Sequence, residues 1–123
     1  MNEPSVFGAE QQTLPLQSLH RKVDGTEIKH RDVHNIYGSM MHRTTYQGVL
    51  ARDAGTRRPF VLTRSFYTGS QKYGAYWSGD NTATIEELQG SIYTLLSTGV
   101  SGMGFGGADI PGYMGEPSQD LFI

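Results

Sequence analysis

Three side chains able to do chemistry together fall in one short span: Arg64, Trp77 and Asp80, within Arg58-Pro-Phe-Val-Leu-Thr-Arg64 and Trp77-Ser-Gly-Asp80-Asn-Thr82. An aspartate walled by Trp77 and Tyr76 could be buried enough to stay protonated near neutral pH and donate that proton. The same rings would offer flat faces to the C–H surface of a sugar, while carboxylate and guanidinium bind its hydroxyls. Plainer readings stand beside these. Asp80 lies between Gly79 and Asn81, just ahead of a helix start, where it could serve as an N-cap or turn residue. Arg64 could pair with a structural carboxylate. Asp109, in Gly106-Gly-Ala-Asp109-Ile-Pro-Gly, is either a turn former or an acceptor for a hydroxyl, and the surrounding glycines favour exposure to a cleft.

Other chemistries find no footing. His30 and His34 are spaced i, i+4 on a helix entry, but no third ligand and no intervening general-base glutamate complete a zinc motif. Gly102-x-Gly104-x-x-Gly107 has the spacing of a dinucleotide fingerprint, yet it leads into Asp-Ile-Pro-Gly and not a helix. Without a Gly-x-Ser-x-Gly elbow or any cysteine, acyl transfer lacks a nucleophile. No metal and no cofactor is expected.

The chain has 123 residues with 37% hydrophobic and 18% charged content, which fits one ordinary globular unit. Ten basic against twelve acidic residues give a net charge of -2, and no basic cluster could track a phosphate backbone, so nucleic acid is not an expected partner. No apolar run approaches the roughly 20 residues that span a bilayer, so no membrane partner is expected. The absence of cysteine excludes disulfides within the segment without assigning a compartment.

The elements that must position the chemistry follow from periodicity and punctuation. Residues 8–29 are polar, with Pro15 and Gly25, and read as a surface loop. Val33, Ile36, Tyr37, Met40, Met41, Val49 and Leu50 predict an amphipathic helix over Val33 to Asp53, with Asp32 as N-cap and Gly55 as stop. Phe60 to Thr63 reads as a strand buried on both faces. Thr84-Ile-Glu-Glu87 is a capping box opening a second helix whose stripe is Ile85, Leu88, Ile92, Leu95 and Leu96, stopped at Gly99. Val100 to Phe105 supplies a further short strand. Alternating helices and strands predict an α/β fold built of parallel units, but three or four strands are too few to close a barrel of about 250 residues. The opening Met1-Asn-Glu-Pro-Ser-Val-Phe reads as the end of an element, as if the chain began inside a domain.

Met1-Asn-Glu-Pro4, His30-Arg-Asp-Val-His-Asn-Ile-Tyr-Gly38, Arg58-Pro-Phe-Val-Leu-Thr-Arg64, Gly69-Ser-Gln-Lys-Tyr-Gly74, Trp77-Ser-Gly-Asp-Asn-Thr82 and Gly106-Gly-Ala-Asp109 follow one another in an order that resembles glycoside hydrolase family 31. The likeness covers essentially the whole chain and is weakest over residues 8–29.

That resemblance implies an internal fragment of a (β/α)8 TIM barrel, covering about strands 4 to 7, with Phe60–Arg64, Ala75–Ser78 and Met103–Phe105 as the fifth, sixth and seventh. It implies a retaining exo-acting α-glucosidase that uses two carboxyl groups about 5 to 5.5 Å apart. By motif, Asp80 is the acid/base, and the nucleophile is the aspartate that precedes Met-Asn-Glu-Pro, just upstream of Met1, so the isolated segment is expected to be inactive. Glu3 is a supporting residue, and Arg64, Trp77, Asp109, Met1 and Tyr113 are substrate-binding. The substrate implied is an oligosaccharide ending in α-linked glucose, on N-glycans in the endoplasmic reticulum lumen, with a regulatory β subunit as partner. Starch-type oligosaccharides, α-xylosides, and a sugar-binding homologue that does not cleave are the alternatives. Gly106 stands where relatives often carry Cys or Thr, and the change is expected to be minor.

Overall fold

The structure, a computed structural model, describes residues 2–8, 13–52 and 54–122. Met1 and Asp53, to which the sequence reading assigned a pocket contact and a helix end, lie outside the described residues.

The core is a short parallel sheet, β3 (Leu62–Thr63), β4 (Ala75–Trp77) and β5 (Gly106–Gly107), ordered β3-β4-β5. Asn2 adds a parallel bridge to Thr63, so that its backbone precedes β3 in the array. Asn2 N–H donates to the Leu62 carbonyl and Arg64 N–H to the Asn2 carbonyl, both at 2.9 Å. Strands that succeed one another in space in chain order are wound as in a barrel, whereas a doubly wound sheet reverses its order. The sheet is open among the described residues, and the likeness to a barrel extends to its winding and not to closure.

Two helices make the crossovers. α1 (His30–Arg52) connects the Asn2 bridge to β3, and α2 (Ile85–Val100) connects β4 to β5. α2 begins as its capping box predicts: Thr84 is the N-cap and its Oγ1 accepts from Glu87 N–H at 3.2 Å, which satisfies one of the helix's free donors. The helix runs through Gly99 and ends at Val100, one residue later than expected. Its predicted apolar stripe is not a core face. Ile85, Ile92 and Leu96 are half or more exposed and Ser91 is the buried position, because the short strands cover only one side of the helix. α1 departs similarly. Its buried positions are His30, Gly38 and His42, while Ile36 and Met40 are exposed. Gly38 sets this choice, since a Cβ there would lie 1.8 Å from Ser65 Oγ and only a bare backbone can approach so closely.

Four further expectations change. Residues 8–29 are not wholly loop. Leu19–Arg21 (β1) and Glu27–Lys29 (β2) pair antiparallel around Asp24, which accepts from Thr26 N–H at 2.9 Å and Thr26 Oγ1 at 2.6 Å. β2 then feeds directly into α1, so the helix starts at His30 and Asp32 lies inside its first turn instead of capping it. Phe60 is 66% exposed, so the strand around it is not buried on both faces, although Val61 and Thr63 are. The last strand forms at Gly106–Gly107, beyond Met103–Phe105. Its position follows from the hydrogen bonds of Tyr76 N–H to the Phe105 carbonyl and Ser78 N–H to the Gly107 carbonyl.

Gly106 is not a minor change. An added Cβ would fall 1.9 Å from the Tyr76 ring, which is itself buried against Phe66 and hydrogen-bonded through its hydroxyl to Thr98 Oγ1. The missing side chain on β5 makes room for the large one on β4. No helix among the described residues is long and apolar enough to cross a membrane.

Candidate active site

Parallel strands present the residues that follow them along one edge of the sheet, and here that edge gathers Glu3, Arg64, Trp77 and Asp80. The Asn2 bridge aims Glu3, β3 aims Arg64, and β4 aims Trp77 and, through a tight turn, Asp80. Register puts Thr63 beside Tyr76, so the next residues, Arg64 and Trp77, stand side by side. The guanidinium carbon lies 6.0 Å from the Trp77 ring centroid, within reach of a cation–π contact.

Arg64 is the centre of this cluster. Its Nη1 donates to Glu3 Oε1 at 2.5 Å and lies 4.0 Å from Asp80 Oδ1. Glu3 Oε1 also accepts from Ser5 Oγ at 3.0 Å, which fixes the carboxylate that in turn fixes the guanidinium. Side-chain exposures of 24% for Glu3, 35% for Arg64 and 41% for Asp80 leave all three in contact with water. Exposed ion pairs contribute about 0 to 1 kcal/mol, so the arrangement orients charge more than it stabilises the fold. Asp80 is less enclosed than the sequence suggested: Tyr76 is turned into the interior and does not wall it. Nor is Asp80 a cap, since Thr84 holds that role.

Gly79 makes the turn that brings Asp80 round. Its φ of +94° is a conformation that side chains disfavour, and a Cβ there would meet Arg64 Nε at 2.4 Å. Both demands select glycine.

The edge opens into a cleft of about 860 Å³ lined by Glu3, Ser5, Phe7, Arg64, Asp80 and Met114, among others. A smaller recess of about 270 Å³ also carries Arg64 and Asp80 and runs toward Glu87 and Ser91 on α2. Trp77, Tyr113 and Asp109 are near this edge but do not line either space. The loop that carries them is tied to the turn after β4: Asn81 Nδ2 donates to the Asp109 carbonyl at 3.0 Å, and Tyr113 and Met114 N–H both donate to the Asn81 carbonyl. Met114, beside the expected Tyr113, is the residue of that loop in the cleft. Asn81 and Met114 were passed over in the sequence because an amide and a thioether in a loop carry no chemical signature.

Among the described residues no group of three His, Cys, Asp or Glu side chains could hold a metal ion. His30 and His34 are instead hydrogen-bonded to each other at 2.9 Å, with His20, not singled out from the sequence, bonded to the other side of His30 at 2.9 Å.

With this geometry in view, the whole chain, residues 1–123, matches the family described as the glycosyl hydrolases family 31 TIM-barrel domain, and the chain belongs to that family. Within it the chain is close to the glucosidase II alpha subunit. A solved glucosidase II alpha subunit, described as Glc1Man2-bound, superposes with a TM-score of 0.87 at 48% identity, covering 98% of this chain and 13% of that one. An ER glucosidase II heterodimeric complex of catalytic subunit and the binding domain of a regulatory subunit matches with a TM-score of 0.85 at 48% identity, over the same shares. A probable glucan 1,3-alpha-glucosidase of Arabidopsis thaliana is 48% identical over 123 residues, all of this chain and 13% of its own length. The chain thus spans about 13% of the length of the relatives it matches.

Proposed function

We propose that this segment carries the acid/base half of a retaining α-glucosidase active site, with Asp80 protonating the departing glycosidic oxygen and then activating water. The observation that carries the reading is the placement of Asp80 at the edge of a parallel sheet, in an open cleft, 4.0 Å from a guanidinium held by Glu3. Asp80 has room to meet a substrate oxygen, as a proton donor must. Arg64 has donors to spare for glucose hydroxyls, because a guanidinium offers five and Glu3 engages one. Trp77 supports the Arg64 plane and bounds the sugar site, and Asp109 and Tyr113 reach substrate from the loop beside it. Glu3 supports the site by fixing Arg64 and leaves the nucleophilic role to another carboxylate. In this reading the nucleophile is the aspartate preceding Met1 in the full-length protein, and the isolated segment does not turn over. The described strands are the fourth to seventh of the barrel.

The substrate is an oligosaccharide with terminal α-linked glucose on an N-glycan, acted on in the endoplasmic reticulum lumen, with a regulatory β subunit as partner. The support is the closeness to glucosidase II alpha subunits, one Glc1Man2-bound and one complexed with a regulatory subunit. The test is release of glucose by the full-length protein from a glucosylated mannose oligosaccharide, compared with maltose-type oligosaccharides and aryl α-xylosides. Faster turnover of the glucosylated mannose substrate is expected, and a preference for maltose-type chains or xylosides would overturn the N-glycan assignment. No glucose release, with sugar still bound, would favour a non-cleaving homologue.

A further inference from the structure

We infer that His20, His30 and His34 form a clasp that positions Arg64 through α1, and that this clasp opens in acid. The histidines lie on two elements, His20 on β1 and His30 and His34 on α1. His20 Nε2 meets His30 Nδ1 at 2.9 Å, joining β1 to the start of α1, and His30 Nε2 meets His34 Nδ1 at 2.9 Å one helical turn on. Thr13 Oγ1 lies 3.3 Å from His34 Nδ1, and the Tyr37 ring packs on both His20 and His30 with centroids 5.2 and 5.5 Å away. His30 is 2% exposed. The same junction holds the first helical donors, with His30 N–H on the Ser18 carbonyl and Arg31 N–H on the Leu16 carbonyl.

The clasp reaches the active site by contact. Gly38, one turn beyond His34, is pressed against Ser65, and Ser65 follows Arg64 in the chain. A cavity of about 380 Å³ lined by Thr13, His30, His34, Tyr37 and Ser65 lies between them, and Ser5 and Ser65 line both this cavity and the catalytic cleft. A shift of the first two turns of α1 therefore moves the wall behind Arg64.

Proton counting gives the switch. A neutral imidazole has one donor and one acceptor, so three neutral rings satisfy both links when all N–H groups point the same way. One added proton on His30 lets it donate to both neighbours, but a second on either neighbour sets N–H against N–H and breaks that link. A charge on His30 is also buried without compensation. The titratable groups facing it are His20 from β1 and His34 and Tyr37 from α1, none of them a carboxylate. The charged groups on the adjoining hairpin and first turn, Arg21, Lys22, Asp24, Glu27, Lys29, Arg31 and Asp32, are exposed to solvent. Burial, with the neighbouring His34 and His20 adding to it, holds the His30 imidazole below the usual histidine range. An opened His30 binds a proton more readily than a clasped one, so the closed state is favoured above about pH 6.5 and loses ground as pH falls below it.

The consequence for substrate rests on the proposed role of Arg64, and the experiment separates the two. In the full-length protein, amide hydrogen exchange over residues 18–34, corrected for the intrinsic pH dependence, is followed from pH 7.5 to 5.5 alongside kcat and KM for para-nitrophenyl α-glucoside. Exchange in this segment is expected to quicken about tenfold toward pH 5.5, with KM rising several-fold and kcat changing less. His30→Asn, which cannot gain a proton, is expected to abolish both pH steps, and His20→Gln to raise exchange already at pH 7.5. Unchanged protection across the range, or an equal step in His30→Asn, would overturn the clasp. A step in exchange with constant KM, while Arg64→Ala raises KM, would overturn the positioning role. If Arg64→Ala leaves KM unchanged, the reading of Arg64 as a substrate ligand fails, and the exchange result still decides the clasp.

Discussion

The edge at Arg64 and Asp80 joins groups 61 residues apart and the clasp at His30 joins groups 10 and 4 residues apart, and the two expose their polar groups to opposite degrees. Glu3, Arg64 and Asp80 are ionisable groups left in contact with water, at 24%, 35% and 41% side-chain exposure. His20, His30 and His34 are imidazoles bonded to one another, and their central member is almost fully buried. The difference follows from cost. A wet charge is inexpensive to hold and free to engage a ligand, whereas a buried one must be paired or neutralised. Open ionisable groups at the edge thus serve binding and chemistry, and a buried imidazole at the clasp serves position.

The sharpest way to separate the two regions is to remove one charge from the edge. Asp80→Asn should lower kcat/KM of the full-length protein by about a hundred- to ten-thousandfold on substrates with poor leaving groups, while its thermal midpoint stays close to the parent's. A large loss of stability instead would make Asp80 a structural group and erase the contrast. The packing of β5 against β4 offers the next largest effect. Gly106→Ala should cost about 1 to 3 kcal/mol in denaturant unfolding, because its Cβ collides with Tyr76, and Tyr76→Val in the same chain should recover part of that cost. A neutral Gly106→Ala would show that β5 shifts freely. Glu3→Gln should raise KM by roughly tenfold or less, since the lost charge-assisted bond to Arg64 is partly wet, with kcat nearly intact. A fall in kcat with constant KM would place Glu3 at the reacting centre.

The smallest expected effect is on stability as a function of pH. Burial lowers the pKa of both His30 and His42, opposed at His42 by the backbone of Tyr73. The folded chain therefore binds protons at these rings less readily than the unfolded chain does, and stability should decline as pH drops below about 6.5. Thermal midpoints measured from pH 7.5 to 5.5 check this, and a midpoint that rises over that interval would contradict it.

The helices were the most legible part of the sequence, for reasons that differ in strength. α2 was marked by a cap whose chemistry is local, and Thr84 and Glu87 behave as that pattern requires. Its apolar stripe misled, because periodicity identifies a face without saying what covers it. α1 was found but misplaced at its start, since β2 runs into it without a break and no capping residue announces His30. The hairpin was hidden because it is exposed on both sides apart from His20 and Ile28, so it leaves little alternation to read. β5 is two glycines and carries no side-chain pattern at all. At the site, Arg64 and Asp80 were legible as strand-end residues. Their meeting with Glu3, 61 residues from Arg64, is a product of parallel pairing that no spacing rule encodes.

The most direct test of the central claim uses Asp80→Ala in the full-length protein with an aryl α-glucoside bearing a good leaving group, followed with and without azide. A retaining mechanism with Asp80 as acid/base predicts slow turnover that azide accelerates, with α-glucosyl azide as product, because the small anion replaces water that Asp80 no longer activates. Unchanged turnover on a poor leaving group, or no azide adduct of retained configuration, would contradict it.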